Sequence, residues 1–251
     1  MNSAAPRTGR LLRAALLLAL SLRAGGCSSQ AVRPEPVPAE APSIAASAPV
    51  PAPARDRAPA ETMSYLGADW LTRPERIEEE QPDRMLDALG IRPGMVVADI
   101  GAGVGYHALK IAPRVGPAGR VYATDIQQEM LQMLRASLRE RRIENVVPVL
   151  SGDAKTGLPP GAIDLALMVD VYHELSEPER FLEALKLALK PRGRLVLVEF
   201  RGEDPDVPIK EEHKMTAAQV IRELGAAGFA LVERHEFLPW QHILIFALRT
   251  P

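Results

Sequence analysis

A buried strand that runs directly into a glycine-rich loop constrains this chain more than any other feature. The strand is the apolar stretch from Met95 to Ile100 (MVVADI), and the loop after it reads GAGVG, residues 101–105. A short continuous apolar run bounded by turn residues is typical of a strand buried on both faces. Glycines at alternate positions let the backbone turn sharply and let a ligand approach without a β-carbon in the way. The chain therefore contains the start of an α/β unit with a candidate binding loop.

The rest of the chain repeats this alternation of short apolar runs and helical segments. Four further strands are predicted at Arg120 to Thr124, Val146 to Leu150, Ile163 to Val169 and Leu195 to Glu199. A capping box of Thr72 and Glu75 predicts a short helix before the first strand. The last two strands, Ala230 to Phe237 and Ile243 to Leu248, have so short a link that they must form an antiparallel hairpin. The predicted fold is α/β, a doubly wound Rossmann-like mixed sheet of seven strands with a C-terminal antiparallel hairpin.

Aspartates stand at the ends of the first four predicted strands. They are Asp99, Asp125, Asp153 and Asp170. Because such sheets bind ligands at the carboxyl ends of their strands, we expect the four carboxylates to meet along one rim. That rim would repel a phosphate and favour a ligand that carries hydroxyl groups and positive charge. The alternative for each aspartate is a purely local role as a turn former or helix N-cap.

The order of these features resembles the class I S-adenosylmethionine-dependent methyltransferases. Residues 97–105 (VADIGAGVG) match the first motif of that family, D-x-G-x-G-x-G, and the resemblance extends from about Met95 to Leu248. The stretch at residues 189–195 (LKPRGRL) is similar to the small-molecule branch that includes the ubiquinone and menaquinone methyltransferases. The resemblance implies S-adenosyl-L-methionine as the cofactor and methyl transfer to a small-molecule or lipid-like acceptor.

The same resemblance assigns residues to the cofactor. They are Asp99, Gly101, Gly103, Gly105, Asp125, Ile126, Asp153 and Ala154. Asp125 would hold both ribose hydroxyls, and Ile126 would pack on the adenine. Asp153 and Ala154 would meet the amino edge of the adenine, and Asp99 would lie near the methionine end.

A histidine after the fourth strand is the candidate catalytic group. His173 lies in the stretch DVYHE, which begins at Asp170 and ends at Glu174. Methyl transfer needs a base only if the acceptor is a hydroxyl or an acidic carbon. His173 could be that base, with Glu174 or Asp170 orienting its ring. The alternative is a histidine that bonds locally where a loop meets a helix.

Three other histidines lie in connections between the predicted elements. His107 follows the glycine loop and could touch the methionine moiety, and His213 and His242 could close over the acceptor. Helix-start packing or a surface loop is the alternative for each. No histidine and carboxylate have clear metal-ligand spacing along the chain, so no metal site is predicted. The single cysteine, Cys27, excludes an intrachain disulfide and a mechanism through thiolates of the domain.

The N-terminal residues have the order of a secretory signal. A basic start precedes the apolar run from Ala14 to Leu22, which is too short to span a bilayer, and small residues then precede Cys27. This end resembles the lipobox of bacterial lipoproteins, although Ala24 stands where that family usually has leucine. The resemblance implies a membrane anchor at Cys27 on the periplasmic side of a bacterial envelope. The alternatives are a cleaved signal with an incidental cysteine, and translation from Met63 to give a cytoplasmic protein.

Composition divides the chain into three parts. All the aromatic residues, 4 Tyr, 5 Phe and 2 Trp, lie at or after Tyr65. Residues 1–27 are the predicted signal, residues 28–64 a disordered Ala/Pro-rich tether, and residues 65–251 the methyltransferase domain. A net charge of -2 gives no reason to expect nucleic acid as a partner.

Two other functions remain compatible with the sequence. The spacing of Gly103, Gly105 and Ala108, together with Asp125, permits an NAD(P)-dependent oxidoreductase. A lipoprotein that keeps the methyltransferase fold as a binding module without turnover is the other alternative. The sequence predicts neither the oligomeric state nor the acceptor atom.

Overall fold

The computed structural model of the protein describes residues 58–249. The predicted signal, Cys27 and most of the predicted tether lie outside the described residues. Among residues 58–249, no helix combines the length and the apolar character that crossing a bilayer requires.

One mixed sheet organises the described part of the chain. Its strands are β1 (Val96–Ile100), β2 (Arg120–Asp125), β3 (Val146–Leu150), β4 (Ile163–Val169), β5 (Leu189–Arg201), β6 (Lys214–Met215), β7 (Phe229–His235) and β8 (Gln241–Leu248). The strand order is β3-β2-β1-β4-β5-β8-β7, and the two-residue β6 pairs with β5 off this path. The first five strands are parallel, whereas β8 is antiparallel to both β5 and β7. The predicted fold class and its C-terminal hairpin are confirmed, with β6 as an additional short strand.

Helices cover both faces of the sheet. They are α1 (Arg76–Glu80), α2 (Pro82–Ala88), α3 (Tyr106–Val115), α4 (Gln128–Arg141), α5 (Pro178–Ala188) and α6 (Ala217–Ala226), with 3-10 helices at Tyr65–Thr72, Tyr172–Glu174 and Glu211–His213. Apolar residues of α2, α3 and α4 form one buried cluster on the sheet, and those of α5 and α6 form another. Side chains of β1 alternate between the two, since Val97 belongs to the first cluster and Ala98 to the second. The sheet is therefore buried on both faces, as parallel sheets require.

Two local predictions are wrong. Strand β5 begins at Leu189 rather than Leu195, because Leu189 already pairs with Ile163 of β4, and the register shifts before Arg194 pairs with Leu165. The capping box also does not form. The Thr72 hydroxyl donates instead to the carbonyl of Asp69 at 3.3 Å, and no side chain caps α1.

The folded part begins before Tyr65. The backbone N–H of Ala60 donates to the carbonyl of His173 at 3.0 Å, and the side chain of Gln127 donates to the carbonyl of Met63 at 2.8 Å. Gln127 also accepts from the backbone N–H of Tyr65 at 2.8 Å. We call residues 58–72 the N-terminal strap. Backbone groups of the strap make all three of these hydrogen bonds, and such contacts are not predicted by an apolar sequence pattern.

Candidate active site

A cavity of about 380 Å³ lies at the carboxyl edge of the parallel strands. Residues of the N-terminal strap line it together with the connections that follow β1, β2, β3 and β4. All four predicted rim aspartates, Asp99, Asp125, Asp153 and Asp170, are among the lining residues. The volume is in the range of pockets that hold small ligands. The expectation that these carboxylates share one rim therefore agrees with the structure.

The glycine loop forms one wall of the cavity. Gly101 and Gly103 both line it, and both have a left-handed backbone, with φ of 68° and 53°. A β-carbon at Gly101 would lie 2.5 Å from a methyl carbon of Val171, in the connection after β4. Gly105 does not line the cavity; it is the N-cap of α3, with φ of 90°. The loop thus needs glycine for its conformation and also for the close approach of the neighbouring connection.

Asp125 links the end of β2 to this loop. One of its carboxylate oxygens accepts from the backbone N–H of Gly103 at 2.8 Å, and the other accepts from that of Gln127 at 2.8 Å. Burial raises the pKa of Asp125, while these backbone N–H groups oppose the rise. The half-exposed Ile126 presents an apolar side chain to the cavity. A carboxylate oxygen has two lone pairs, so the carboxylate of Asp125 is oriented and still able to accept from hydroxyl groups.

Of the two residues expected at the amino edge of the adenine, only one lines the cavity. Asp153 lines the cavity with an exposed side chain, whereas the half-buried Ala154 is not among the lining residues. The cofactor contact expected of Ala154 therefore stays a prediction without a supporting position.

Asp99 is a buried acid that lines the cavity. Burial raises its pKa to about 7, and the nearby Arg76 guanidinium partly opposes this rise. Its Oδ2 atom is buried and has no hydrogen-bond partner within the described residues. Because an unpartnered buried oxygen is costly, this atom fits a ligand that brings a cationic N–H group.

An arginine that the sequence analysis missed lies beside Asp99. Arg76 is buried; its Nε atom contacts a carboxylate oxygen of Glu80 at 2.6 Å, and its Nη1 atom donates to the carbonyl of Leu71 at 2.8 Å. Its Nη2 atom lies 3.3 Å from the Nε2 atom of His107. Burial, assisted by Arg76, holds the pKa of His107 well below its usual range. The segment RIEEE resembles an exposed charged helix, so the sequence carries little sign of this buried role.

Asp170 has an unusual backbone for a residue other than glycine, with φ of 54°. One carboxylate oxygen accepts from the side-chain amide of Gln241 at 2.7 Å, and the other is buried without a partner within the described residues. Burial raises the pKa of Asp170 well above its ordinary value, and the negative charges of Glu80 and Glu199 add to the rise. Strained backbone of this kind concentrates at functional sites. The catalytic role expected of Asp170 stays a prediction.

His173 is buried and held by a second missed residue. Its Nδ1 atom lies 2.6 Å from one carboxylate oxygen of Glu199, and the other oxygen of Glu199 accepts from the backbone N–H of Tyr172 at 2.9 Å. The orienting contact thus comes from Glu199 in β5, where the sequence analysis expected Glu174 or Asp170. A glutamate inside the apolar run LVLVEF was the available signal for it.

Of the three other histidines considered in the sequence analysis, two line the cavity and one lies in the core. His213 lines the cavity, and its Nδ1 atom lies 3.1 Å from the Nε2 atom of His173. Burial lowers the pKa of His213. His107 also lines the cavity, whereas His242 is fully buried in β8 and does not line it. The expectation that His242 lies on a loop over the acceptor or at the surface is wrong, because β8 starts at Gln241.

Comparisons with known proteins agree with this geometry. A family model described as "Methyltransferase domain" matches residues 98–197. The crystal structure of a SAM dependent methyltransferase from Aquifex aeolicus superposes with a TM-score of 0.70 and 29% identity, covering 74% of this chain and 98% of that one.

Two curated relatives are also methyltransferases by name. The protein-L-isoaspartate O-methyltransferase of Methanothrix thermoacetophila is 31% identical over 154 residues, which are 61% of this chain and 69% of that protein. The ubiquinone/menaquinone biosynthesis C-methyltransferase UbiE of Shewanella frigidimarina is 26% identical over 154 residues, 61% of each chain.

The fold and the site define a Rossmann-like domain whose glycine loop and four aspartates line one cavity at the carboxyl edge of the sheet. The chain belongs to the class I SAM-dependent methyltransferases, and its cofactor is S-adenosylmethionine. The residues present fit this cofactor, because the oriented carboxylate of Asp125 can accept from ribose hydroxyls and the unpartnered oxygen of Asp99 can receive an ammonium group.

Proposed function

We propose that this protein transfers the methyl group of S-adenosylmethionine to a small-molecule or lipid-like acceptor that binds beside His173. A single cavity carries the proposal: the glycine loop and Asp125 line one part of it, and the buried His173, held by Glu199, lines another. Because β1 and β4 are parallel neighbours, the connections that follow them lie side by side. A methyl group held over the first connection would therefore face the second.

Methyl transfer requires mainly that the protein position the acceptor relative to the methyl group. A sulfonium methyl is already electrophilic, so the acceptor atom has to be held in line at about 3 Å from it. We assign the ribose hydroxyls to Asp125, the ammonium group to Asp99 and the adenine to Ile126 and Asp153. Met63 and Leu71 of the strap line the cavity, and we assign them the role of shielding the reacting groups from water.

Large apolar side chains line the cavity. They are Trp70, Leu71, Leu175, Phe181, Phe200 and Ile209. Such a lining favours an apolar acceptor with one reactive polar group over a peptide, which would bring unsatisfied amide groups into the cavity. This supports an acceptor closer in character to those named for the quinone C-methyltransferases than to a protein.

The test is methyl transfer from isotopically labelled S-adenosylmethionine to a panel of phenolic, quinol and lipid acceptors. Calorimetry with S-adenosylhomocysteine and with NADH accompanies it. We expect binding of S-adenosylhomocysteine, no binding of NADH, and label in an apolar acceptor. Binding of NADH alone would favour the oxidoreductase. Cofactor binding without transfer to any acceptor would favour the non-catalytic binding module.

We further propose that the chain is anchored to a membrane through acylation of Cys27. The proposal is supported by the lipobox-like residues before Cys27 and by the Ala/Pro-rich stretch that follows. It is also supported by large apolar side chains that the folded part leaves exposed, those of Leu66, Ile77 and Trp70, the last of which lines the cavity. An anchor would keep the cavity close to a lipid-like acceptor.

A further inference from the structure

The geometry points to a divalent-cation site formed by His173, Glu174 and His213, and we infer that a bound transition-metal ion there holds a donor atom of the acceptor. The second half of this inference rests on the proposed function, whereas the metal site itself does not. All three side chains line the cavity. A metal ion bound by these three side chains would therefore be accessible to a ligand in the cavity.

The spacing of the candidate ligand atoms suits a metal ion. One ligand atom from each of the three side chains lies within 4.8 Å of the other two. The Nε2 atom of His173 and the Nδ1 atom of His213 are 3.1 Å apart. Two nitrogens at 2.0–2.1 Å from a tetrahedral zinc ion are separated by about 3.3 Å, so both rings already stand at nearly the required distance.

The contact behind His173 is the one that metal-binding histidines make. Such a histidine usually donates its second ring N–H to a carboxylate, which fixes the tautomer and the ring orientation. Glu199 occupies that position, 2.6 Å from the Nδ1 atom of His173, and is itself held by the backbone N–H of Tyr172. With its Nδ1 proton directed at Glu199, His173 presents the lone pair of Nε2 towards His213.

The chemical type of the ligands narrows the choice of ion. Two imidazoles and one carboxylate form the ligand set of catalytic zinc sites and of the facial triad of non-haem iron enzymes. Three protein ligands leave at least one coordination position open, here on the side of the cavity. The set comes from two 3-10 helices, Tyr172–Glu174 and Glu211–His213, so no local sequence spacing reveals it.

A cation at this position would select the acceptor and prepare it for transfer. It would favour an acceptor with a hydroxyl or enol oxygen, because a bound cation lowers the pKa of such a group. The acceptor proton leaves to solvent, and an oxygen lone pair forms the new bond to the methyl carbon. The electron pair of the broken carbon–sulfur bond stays on sulfur, which gives neutral S-adenosylhomocysteine. His173 would then act as a ligand and not as a free base.

The test is a calorimetric titration of the full chain, freed of metal with a chelator, with zinc chloride alone and with manganese chloride alone. We expect one ion per chain. The affinity should fall at least tenfold in His213→Ala and in Glu174→Gln. His213 is suited to this test because it is only half-buried, so its loss spares the core. Cobalt chloride supplies a second readout, since its visible absorption should change with the parent and not with either variant.

Two control variants complete the design. His235→Ala removes a half-buried histidine of β7 that is not among the lining residues of the cavity, and it should bind zinc as the parent does. Cys27→Ser removes the one thiol that could bind zinc elsewhere. Zinc binding of unchanged affinity in both His213→Ala and Glu174→Gln would overturn the site and leave a simple contact between two imidazoles.

The role of the ion is tested separately from its binding. Methyl transfer should stop on chelation and return with metal, while affinity for S-adenosylhomocysteine stays within about twofold. Transfer that is indifferent to chelation in a protein that binds zinc would overturn the acceptor role. Failure of the proposed function would look different, because the metal titration would succeed while S-adenosylhomocysteine did not bind or no acceptor was methylated.

Discussion

At the scale of single residues, Asp125 joins loop geometry to cofactor binding. Replacing it with alanine would remove the proposed partner of the two ribose hydroxyls and the acceptor of the Gly103 N–H. Hydrogen bonds to a charged group contribute about 1.5–3 kcal/mol each, so affinity for S-adenosylhomocysteine should fall at least about 100-fold. Calorimetry measures this directly.

Asp164→Ala is the matched control for Asp125→Ala. Asp164 also accepts a backbone N–H, that of Val96 at 2.8 Å, and is not among the lining residues of the cavity. It should bind S-adenosylhomocysteine as the parent does. A folded Asp125→Ala variant that binds as tightly as the control would contradict the ribose assignment.

Asp99 should give the cofactor-free protein an unusual dependence on pH. Its folded-state pKa of about 7 lies above the ordinary value of 3.8, so between these pH values the folded chain holds a proton that the unfolded chain has released. The contribution of Asp99 therefore lowers stability as pH rises from about 4 to 7, the reverse of a salt-bridged aspartate. Over that range the loss should be on the order of 2–4 kcal/mol.

Denaturant unfolding of the parent and of Asp99→Asn at several pH values isolates this residue. The asparagine variant keeps the shape without the charge, so it should gain stability over the parent as pH rises towards 7. Asp170 and Glu174 also have raised pKa values, and their contributions cancel in the comparison. A stability difference that stays constant with pH would show that Asp99 titrates normally.

At the scale of elements, the start of α3 depends on a glycine that packs against α4. A β-carbon at Gly105 would collide with the side chain of Leu134, and φ there is +90°. At Gly94, in the turn before β1, φ is +86° and an added β-carbon meets nothing within 4 Å. Both Gly→Ala variants carry backbone strain of about 1–2 kcal/mol. Gly105→Ala should lose roughly 1–3 kcal/mol more, because it also overpacks the interface.

Chemical denaturation of the two variants measures the difference. Equal losses of stability in the two variants would contradict the predicted cost of overpacking α3 against α4. Affinity for S-adenosylhomocysteine should also fall only in Gly105→Ala, because the displaced helix start moves the loop that contains Gly103.

The elements that sequence predicts well are those with their own apolar pattern. Strands β1 and β4 are continuous buried runs, so their ends could be read directly, together with Asp99 near the end of β1 and Asp170 after β4. The contributions of Glu199 and Arg76 to the site, and the pairing of His213 with His173, could not, because each depends on a partner far away in sequence. The position of the strap could not be predicted either, because a backbone hydrogen bond such as that from Ala60 to His173 does not depend on residue type.

At the scale of the whole molecule, the proposed anchor predicts where the chain is found in a cell. Cys27→Ser should move the protein from the membrane fraction to the soluble fraction, or leave it as an unprocessed precursor. One acyl chain binds membranes only weakly, so firm retention of the parent implies more than one. Cell fractionation and mass spectrometry of the mature N-terminus measure both effects, with Ser29→Ala as a control. Equal retention of Cys27→Ser would exclude the anchor.

The alternative start at Met63 has a structural cost. A chain that begins there lacks Ala60, whose N–H donates to the carbonyl of His173, and Thr62, whose side chain bonds to Glu174. Both contacts hold the connection after β4. A chain that starts at Met63 would therefore lack two of the contacts that hold this connection.

The strap also has a consequence for the timing of turnover. It contacts Gln127 beside the proposed adenine position and the carbonyl of His173 beside the proposed acceptor position, so one segment covers both. If both products leave by the same opening, neither can be released until the strap lifts, and release would then limit the steady-state rate. Solvent viscosity slows the motion of the strap but not methyl transfer in the closed complex. Raising the solvent viscosity with sucrose should therefore lower the steady-state rate, while the single-turnover rate of the enclosed complex stays constant.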